Sequence, residues 1–274
     1  METMKTIINQ AQWDQEVYAL AREFLLGLNG VTSEMLDRYL SVGERSNSLT
    51  GIYKHLLETA QSPNMGPKVI GQAIGGIGRL SGLLCGFQPA AVVEKYGSNW
   101  ETVLNDIIVQ LKPRGETRQK PKSLWPRFCK TITSGADFLA KFDDASDFYK
   151  WVDFFDRDNR ARPALPMLLS YEIDGFGFSL ACDFIKELGY PNFGKPDVHL
   201  RKIFVALELS STEDDYAVFR AIVRVARNVC VTPYNVDKTF WLIGSGNFYL
   251  DCVYTGRNRN KFIDYAKPKL EAVR

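Results

Sequence analysis

Two glycines separated by one apolar residue interrupt an otherwise helix-forming run, and that interruption constrains the fold more than any other feature of the chain. From Leu165 the sequence reads LPMLLSYEIDGFGFSLACDFIKELGYPNFGKPDVHLRKIFVALEL. An apolar helical run meets Asp174-Gly175-Phe176-Gly177-Phe178, a second helix is expected from Ser179 to Leu188, and Pro196-Asp197-Val198-His199 opens a third. Gly175 and Gly177 lack a Cβ, so each can take a positive φ and bring its backbone close to another chain. The amides near Phe178 and Ser179 are expected in the first turn of a helix, at the positive end of its dipole, a setting that favours phosphate. Phe176 is expected to plug the hairpin into the core, and Ala181 to let the two helices pack tightly. Two readings stand at this point: a hairpin that grips a nucleic-acid backbone, or a plain helix-turn-helix packing motif whose glycines bind nothing.

The downstream segment distinguishes them. Ile173-Asp174-Gly175-Phe176-Gly177 with Ala181, followed by Pro196-Asp197-Val198-His199-Leu200-Arg201, resembles the signature of the helix-hairpin-helix DNA glycosylase superfamily. The resemblance is specific from about Ser123 to Gly246, where Val236-Asp237-Lys238 and Phe240-Trp241-Leu242-Ile243-Gly244 look like the helix that often closes this domain. It implies an all-α, two-lobed helical bundle, with an N-terminal helical region at 1–122 supplying part of a base pocket and a glycosylase-like domain at 123–274. It also implies backbone binding to DNA at Gly175, Gly177, Phe178 and Ser179, with Asp197 as the catalytic carboxylate. Two positions depart from the pattern. Ser179 stands where bifunctional members carry a catalytic lysine, which implies hydrolysis without a lyase step. Asp174 replaces the usual hairpin proline, placing a carboxylate that can cap the turn near the proposed phosphate contact.

Cleaving a base from deoxyribose builds positive charge on the sugar, and a fixed carboxylate beside it stabilises that charge and orients the attacking water. Asp197 is the candidate; the alternative, a helix N-cap, is compatible with it because a capping carboxylate is held rigidly. Lys195 and His199 flank it. Lys195 is a candidate to hold phosphate or to lower the Asp197 pKa, and His199 a candidate general acid or a packing histidine. Arg201 and Lys202 face either DNA or water. The target nucleotide must leave the stack to reach the carboxylate, so the expected partner is double-stranded DNA with one base flipped. Monofunctional excision of a damaged or modified base, in repair or in defence against phage with modified DNA, is the expected function. The alternative is a non-catalytic helix-hairpin-helix DNA-binding protein.

Residues 112–127, KPRGETRQKPKSLWPR, form the one strongly basic, proline-broken stretch. It reads either as a solvated linker or as a DNA-facing loop in which Lys120, Lys122 and Arg127 add salt-sensitive affinity. Trp125 is either a wedge at an extruded base or a core residue. The formal net charge of +2 decides nothing, because a basic patch coexists easily with a near-neutral total. The five cysteines are scattered and odd in number, with no CxxC or Cys/His cluster. No disulfide scaffold, zinc site, iron–sulfur cluster or other cofactor is therefore expected, and reduced thiols suit a cytoplasmic or otherwise intracellular setting. No signal pattern and no membrane span are read, and no obligate protein partner is evident.

Elsewhere helical spacing dominates. Trp13, Val17, Leu20, Ala21, Phe24 and Leu28 mark an amphipathic helix ended by Asn29-Gly30, Thr32-Ser33-Glu34 opens the next, and Leu49–Ala60 reads as another. Gly66 to Gly86 lacks the Gly-Lys-Ser/Thr ending of a phosphate loop and is read as tight helix packing, with Gly75–Arg79 a minor candidate for a second backbone approach. Helices are also expected around 89–111, over 128–142, 148–155 and 216–229. Asp143, Asp144, Asp153, Asp156 and Asp158 follow no metal-loop spacing and are read as surface.

Overall fold

The computed structural model describes residues 9–61 and 69–273. Among them are fourteen α-helices and one minimal antiparallel ribbon, so the all-α class holds. In chain order the helices are α1 (Gln10–Leu26), α2 (Ser33–Leu40), α3 (Leu49–Ala60), α4 (Val69–Ile74), α5 (Pro89–Tyr96), α6 (Trp100–Asp106) and α7 (Leu124–Leu139). There follow α8 (Ala145–Asp156), α9 (Ala164–Glu172), α10 (Phe178–Glu187), α11 (Val198–Ala206), α12 (Asp215–Asn228), α13 (Pro233–Ser245) and α14 (Arg259–Val273). Between the last two, β1 (Asn247–Phe248) pairs with β2 (Val253–Tyr254).

Contacts divide the chain into two compact units, one drawn from Met1–Gly43 with Gly189–Arg274, the other from Glu44–Leu188. The boundary expected from sequence at 122/123 lies inside the second of these. In the first unit, α1 packs on α12, α13 and α14. Its core joins Val17, Leu36, Phe204, Ile222, Phe240 and Phe262, with Phe240 meeting Phe204 edge-on at 5.1 Å. Each such fully buried phenylalanine contributes roughly 2–3 kcal/mol of transfer free energy. A polar tie reinforces the packing. Asp14, wholly buried in α1, accepts from Arg224 Nε and Nη2 of α12 at 2.9 and 3.0 Å and from Asn228 Nδ2 at 2.8 Å.

In the second unit α7 is the central helix, packed against α3, α5 and α6. Gly135 sets the approach to α3, because a Cβ there would already stand 3.0 Å from Leu56 Cδ2. Tyr53, buried in α3, donates its hydroxyl to the Ile132 carbonyl at 2.7 Å. Phe138, Phe142, Phe148 and Trp151 form an aromatic cluster, with Phe142–Phe148 centroids 5.3 Å apart.

Several expectations change here. The described part of the Gly66–Gly86 stretch is turn-rich beyond α4, and tight packing holds at Gly71 of α4, whose amide donates to Gln61 Oε1 at 3.2 Å and where a Cβ would overlap that oxygen. Gly75 and Gly76, with φ of +80° and +107°, end α4 at Ile74 in conformations that suit glycine, and a positive φ recurs through Cys85, Gly86 and Phe87 (+50°, +68° and +63°). Residues 66–68 of that stretch lie outside the described residues. The helix at 233–245 is not the last: the ribbon and α14 follow it, with Phe262, Ala266 and Leu270 of α14 buried at helical spacing.

Candidate nucleic-acid interface and candidate catalytic carboxylate

The segment between α9 and α10 forms a hairpin, and the two helices pack on each other. Gly175 takes φ +84°, the left-handed conformation that makes the turn. Gly177 does not: its φ of −106° is extended, and it serves as the N-cap of α10, where it offers no side-chain cap. Phe176 is buried and lies edge-on to Phe184 at 5.9 Å, so the plug expected from sequence is present, while Asp174, Gly175 and Gly177 are exposed. Phe178 and Ser179 open α10.

Helix α7 holds the turn from behind. Thr131 Oγ1 donates to the Asp174 carbonyl at 2.6 Å, and the Asp174 amide donates to Ser134 Oγ at 2.9 Å. A Cβ on Gly175 would stand 2.7 Å from Thr131 Oγ1, so position 175 requires glycine for space as well as for φ. A Cβ on Gly177 would meet nothing within 4 Å, which leaves that face of the hairpin open to an incoming backbone.

Beside the hairpin is a surface cleft of about 390 Å³ lined by Pro121, Lys122, Arg127, Lys130, Asp174 and Gly175. Three cations and one carboxylate thus face a common concavity. Lys122 and Arg127 come from the basic stretch read in the sequence. Lys130 was not singled out there, because it sits in the apolar-periodic run of α7. Its Nζ lies 5.2 Å from the Trp100 ring centroid, a cation–π contact that steadies the side chain. Lys120 is exposed but does not line the cleft. Trp125 is only 5% exposed and packs as a core residue; a wedge would need an exposed ring.

Asp197 belongs to the other compact unit and is fixed link by link. Gly194 passes so near α12 and α13 that a Cβ there would stand 2.7 Å from Ile222 Cγ2 and 3.0 Å from the Pro233 carbonyl. The Lys195 amide donates to Asp237 Oδ2 at 2.8 Å, tying the segment before α11 to a wholly buried side chain of α13. The Asp197 amide then donates back to the Lys195 carbonyl at 2.8 Å, closing a tight turn around Pro196. Asp197 itself is extended (φ −80°, ψ 177°) and caps α11, its Oδ1 accepting from the His199 and Leu200 amides at 2.8 and 3.0 Å. Oδ2 accepts no hydrogen bond among the described residues. Oδ1 is thus the anchor of the side chain.

His199 fills the space left by Gly244 of α13, where a Cβ would overlap its ring, and its Nδ1 is buried with no partner among the described residues. Burial pushes the imidazole below its ordinary value of 6.5; Asp197 opposes this, while Arg259 and Arg257 add to it. A neutral, packed imidazole is a poor general acid near neutral pH. Arg201 is engaged by Asp215 at 2.9 Å, which makes it an α11–α12 tie more than a DNA contact. Arg257 and Arg259 escaped the sequence reading, although Gly256-Arg257-Asn258-Arg259 is a compact basic signal.

Among the described residues no group of three or more His, Cys, Asp or Glu side chains could hold a metal ion, and no helix is long and apolar enough to cross a membrane. Comparisons with family models, with curated proteins and with solved structures find no match to this chain.

Proposed function

We propose that this protein is a monofunctional DNA glycosylase that excises a damaged or modified base by hydrolysis of the N-glycosidic bond, leaving an abasic site. The observation that carries the reading is the state of Asp197: a carboxylate immobilised through one oxygen by two backbone amides, with the other oxygen uncommitted. Such a group needs no reorganisation to stabilise the positive charge that develops on deoxyribose as the base departs, or to orient a water toward the anomeric carbon. Asp144 and Asp214 also cap helices through one carboxylate oxygen; what singles out Asp197 is its pair of amide donors together with its place in the Pro196-Asp197-Val198-His199 segment.

The hairpin and its basic cleft support DNA as the partner. An exposed turn with an open glycine face, flanked by Lys122, Arg127 and Lys130, suits a phosphodiester chain: the cations supply sequence-independent affinity and the backbone sets the register. Ser179 in the lysine position of bifunctional relatives supports hydrolysis over imine chemistry, because a hydroxyl cannot form a Schiff base with the sugar.

The test is a panel of duplexes carrying oxidised, deaminated, alkylated or otherwise modified bases, incubated with the protein and then treated with hot alkali. Alkali-dependent strand breaks on at least one duplex, with no covalent complex trapped by borohydride, are the expected result. DNA binding without breaks on any duplex would favour the non-catalytic hairpin module. Efficient trapping would assign a lyase step to some other amine.

A further inference from the structure

We propose that Arg257 and Arg259 form a second phosphate-binding element, built on the same corner of the first unit as Asp197, that holds the phosphodiester beside the nucleotide being cleaved. This rests on the DNA glycosylase reading above and extends it to residues with no part in the hairpin.

The geometry begins with three glycines. Without a Cβ at Gly244, the end of α13 accepts the His199 ring, which brings the start of α11 and the end of α13 together. Two residues further on, Gly246 and Gly256 cross so closely that a Cβ on Gly246 would overlap the Gly256 carbonyl. The Thr255 amide donates to the Gly246 carbonyl at 2.9 Å, and the Asn258 amide to the Ile243 carbonyl at 3.1 Å. Asn258, only 1% exposed, then braces the loop from within: its Nδ2 donates to the carbonyls of Thr255 and Gly256 at 3.3 and 2.9 Å and contacts Thr255 Oγ1 at 3.1 Å. Residues 255–259 are therefore a rigid loop docked on the helix end that cradles His199.

On that loop the residues either side of buried Asn258 are arginines. Arg257 is exposed and Arg259 half-buried; neither forms an ion pair among the described residues, and the one side-chain bond of Arg259 is to Asn260 Oδ1 at 3.2 Å. Arg38, Arg201 and Arg224 of the same unit are each matched to an aspartate, whereas Arg22, Arg220 and Arg227 form no ion pair among the described residues; the loop arginines differ from these three in sharing the corner that holds Asp197. The chain of contacts joins this loop to Asp197: the His199 amide donates to Asp197 Oδ1, the His199 ring lies against Gly244, and Asn258, between the two arginines, donates its amide to the carbonyl of the adjacent Ile243. A carboxylate on its own repels a nucleic-acid strand. Two unmatched guanidinium groups beside it offset that repulsion, and their planar forks fit phosphate oxygens.

The experiment measures duplex DNA affinity against salt concentration for the wild-type chain, for the R257Q/R259Q double variant, and for R220Q/R227Q, which removes the same charge from α12. Each lost phosphate contact lowers the slope of log K against log salt by about 0.9, so R257Q/R259Q should flatten it by up to about 1.8 with an unchanged unfolding midpoint. R220Q/R227Q should leave it nearly unchanged. Equal effects in the two double variants, or none in R257Q/R259Q while K122Q/R127Q/K130Q flattens the slope, would overturn the loop assignment and leave the DNA reading intact. A wild-type chain that binds no duplex even at low salt would overturn both.

Discussion

On the glycosylase reading proposed above, Asp197 combines two demands that usually pull a side chain in different directions: a charge within reach of the sugar, and a fixed position. The cap solves this by committing Oδ1 to two amides and leaving Oδ2 uncommitted. Asparagine keeps an oxygen in the capping position and loses only the charge, whereas alanine loses both. Asp197→Asn should therefore unfold within a few tenths of a kcal/mol of wild type, and Asp197→Ala about 1 kcal/mol earlier, as read by urea denaturation. Equal loss in both would mean that the charge, not the cap, stabilises α11. Gly175 makes a second residue-scale case. At φ +84°, with Thr131 Oγ1 at 2.7 Å from any added Cβ, Gly175→Ala combines left-handed strain with a clash and should cost about 1–3 kcal/mol. Gly177→Ala, extended and facing open space, should cost little, so the two glycines separate a structural role from an access role.

At the scale of elements, the expected helix over 49–60 appears with those bounds and those over 128–142, 148–155 and 216–229 appear with shifted ends, because apolar periodicity reports the buried face of a helix directly. The hairpin was legible for a related reason: glycine at a helix–helix junction has few cheaper explanations than a turn. What periodicity could not show is where glycines act as breaks, as at Gly75 and Gly76, or as clearance, as at Gly194 and Gly244, since both depend on neighbours distant in sequence. The same blindness hid Asp237, read only as part of a closing helix, although it accepts the Lys195 amide and so helps set Asp197. It also hid the tie between α1 and α12. Asp14 is wholly buried and Arg224 partly so; removing either partner leaves a charge without its match. Asp14→Asn should destabilise the chain by about 3 kcal/mol, seen as a lower denaturation midpoint at unchanged slope. A loss below about 1 kcal/mol would show that Asn228 and solvent replace the ion pair.

At the scale of the whole molecule, the two histidines give a pH signature. Burial lowers His55 in the second unit, with Glu187, Glu58 and Asp183 opposing, and burial lowers His199 in the first. Both values lie below 6.5 in the folded chain. As the pH falls past 6.5 the unfolded chain takes up protons that the folded chain resists, so stability is lost through that window and is insensitive to these groups above it. The thermal midpoint should be level above about pH 7 and decline below about pH 6.5, before the carboxylates titrate, with a shallower decline in His55→Gln. An unchanged midpoint down to about pH 5 would contradict the burial account. Division into a contiguous and a discontinuous unit was not legible from the sequence, because the pairing of 1–43 with 189–274 is written only in long-range contacts such as Trp13 Nε1 to the Leu207 carbonyl at 2.9 Å.

The most direct measurement is single-turnover abasic-site formation by wild type and Asp197→Asn on the duplex that responds best in the panel, with DNA affinity measured in parallel. Loss of excision by about 10²-fold or more, at retained affinity and retained stability, is the expected result. Excision by Asp197→Asn at the wild-type rate would contradict the account, because the carboxylate at the head of α11 would then have no part in breaking the bond.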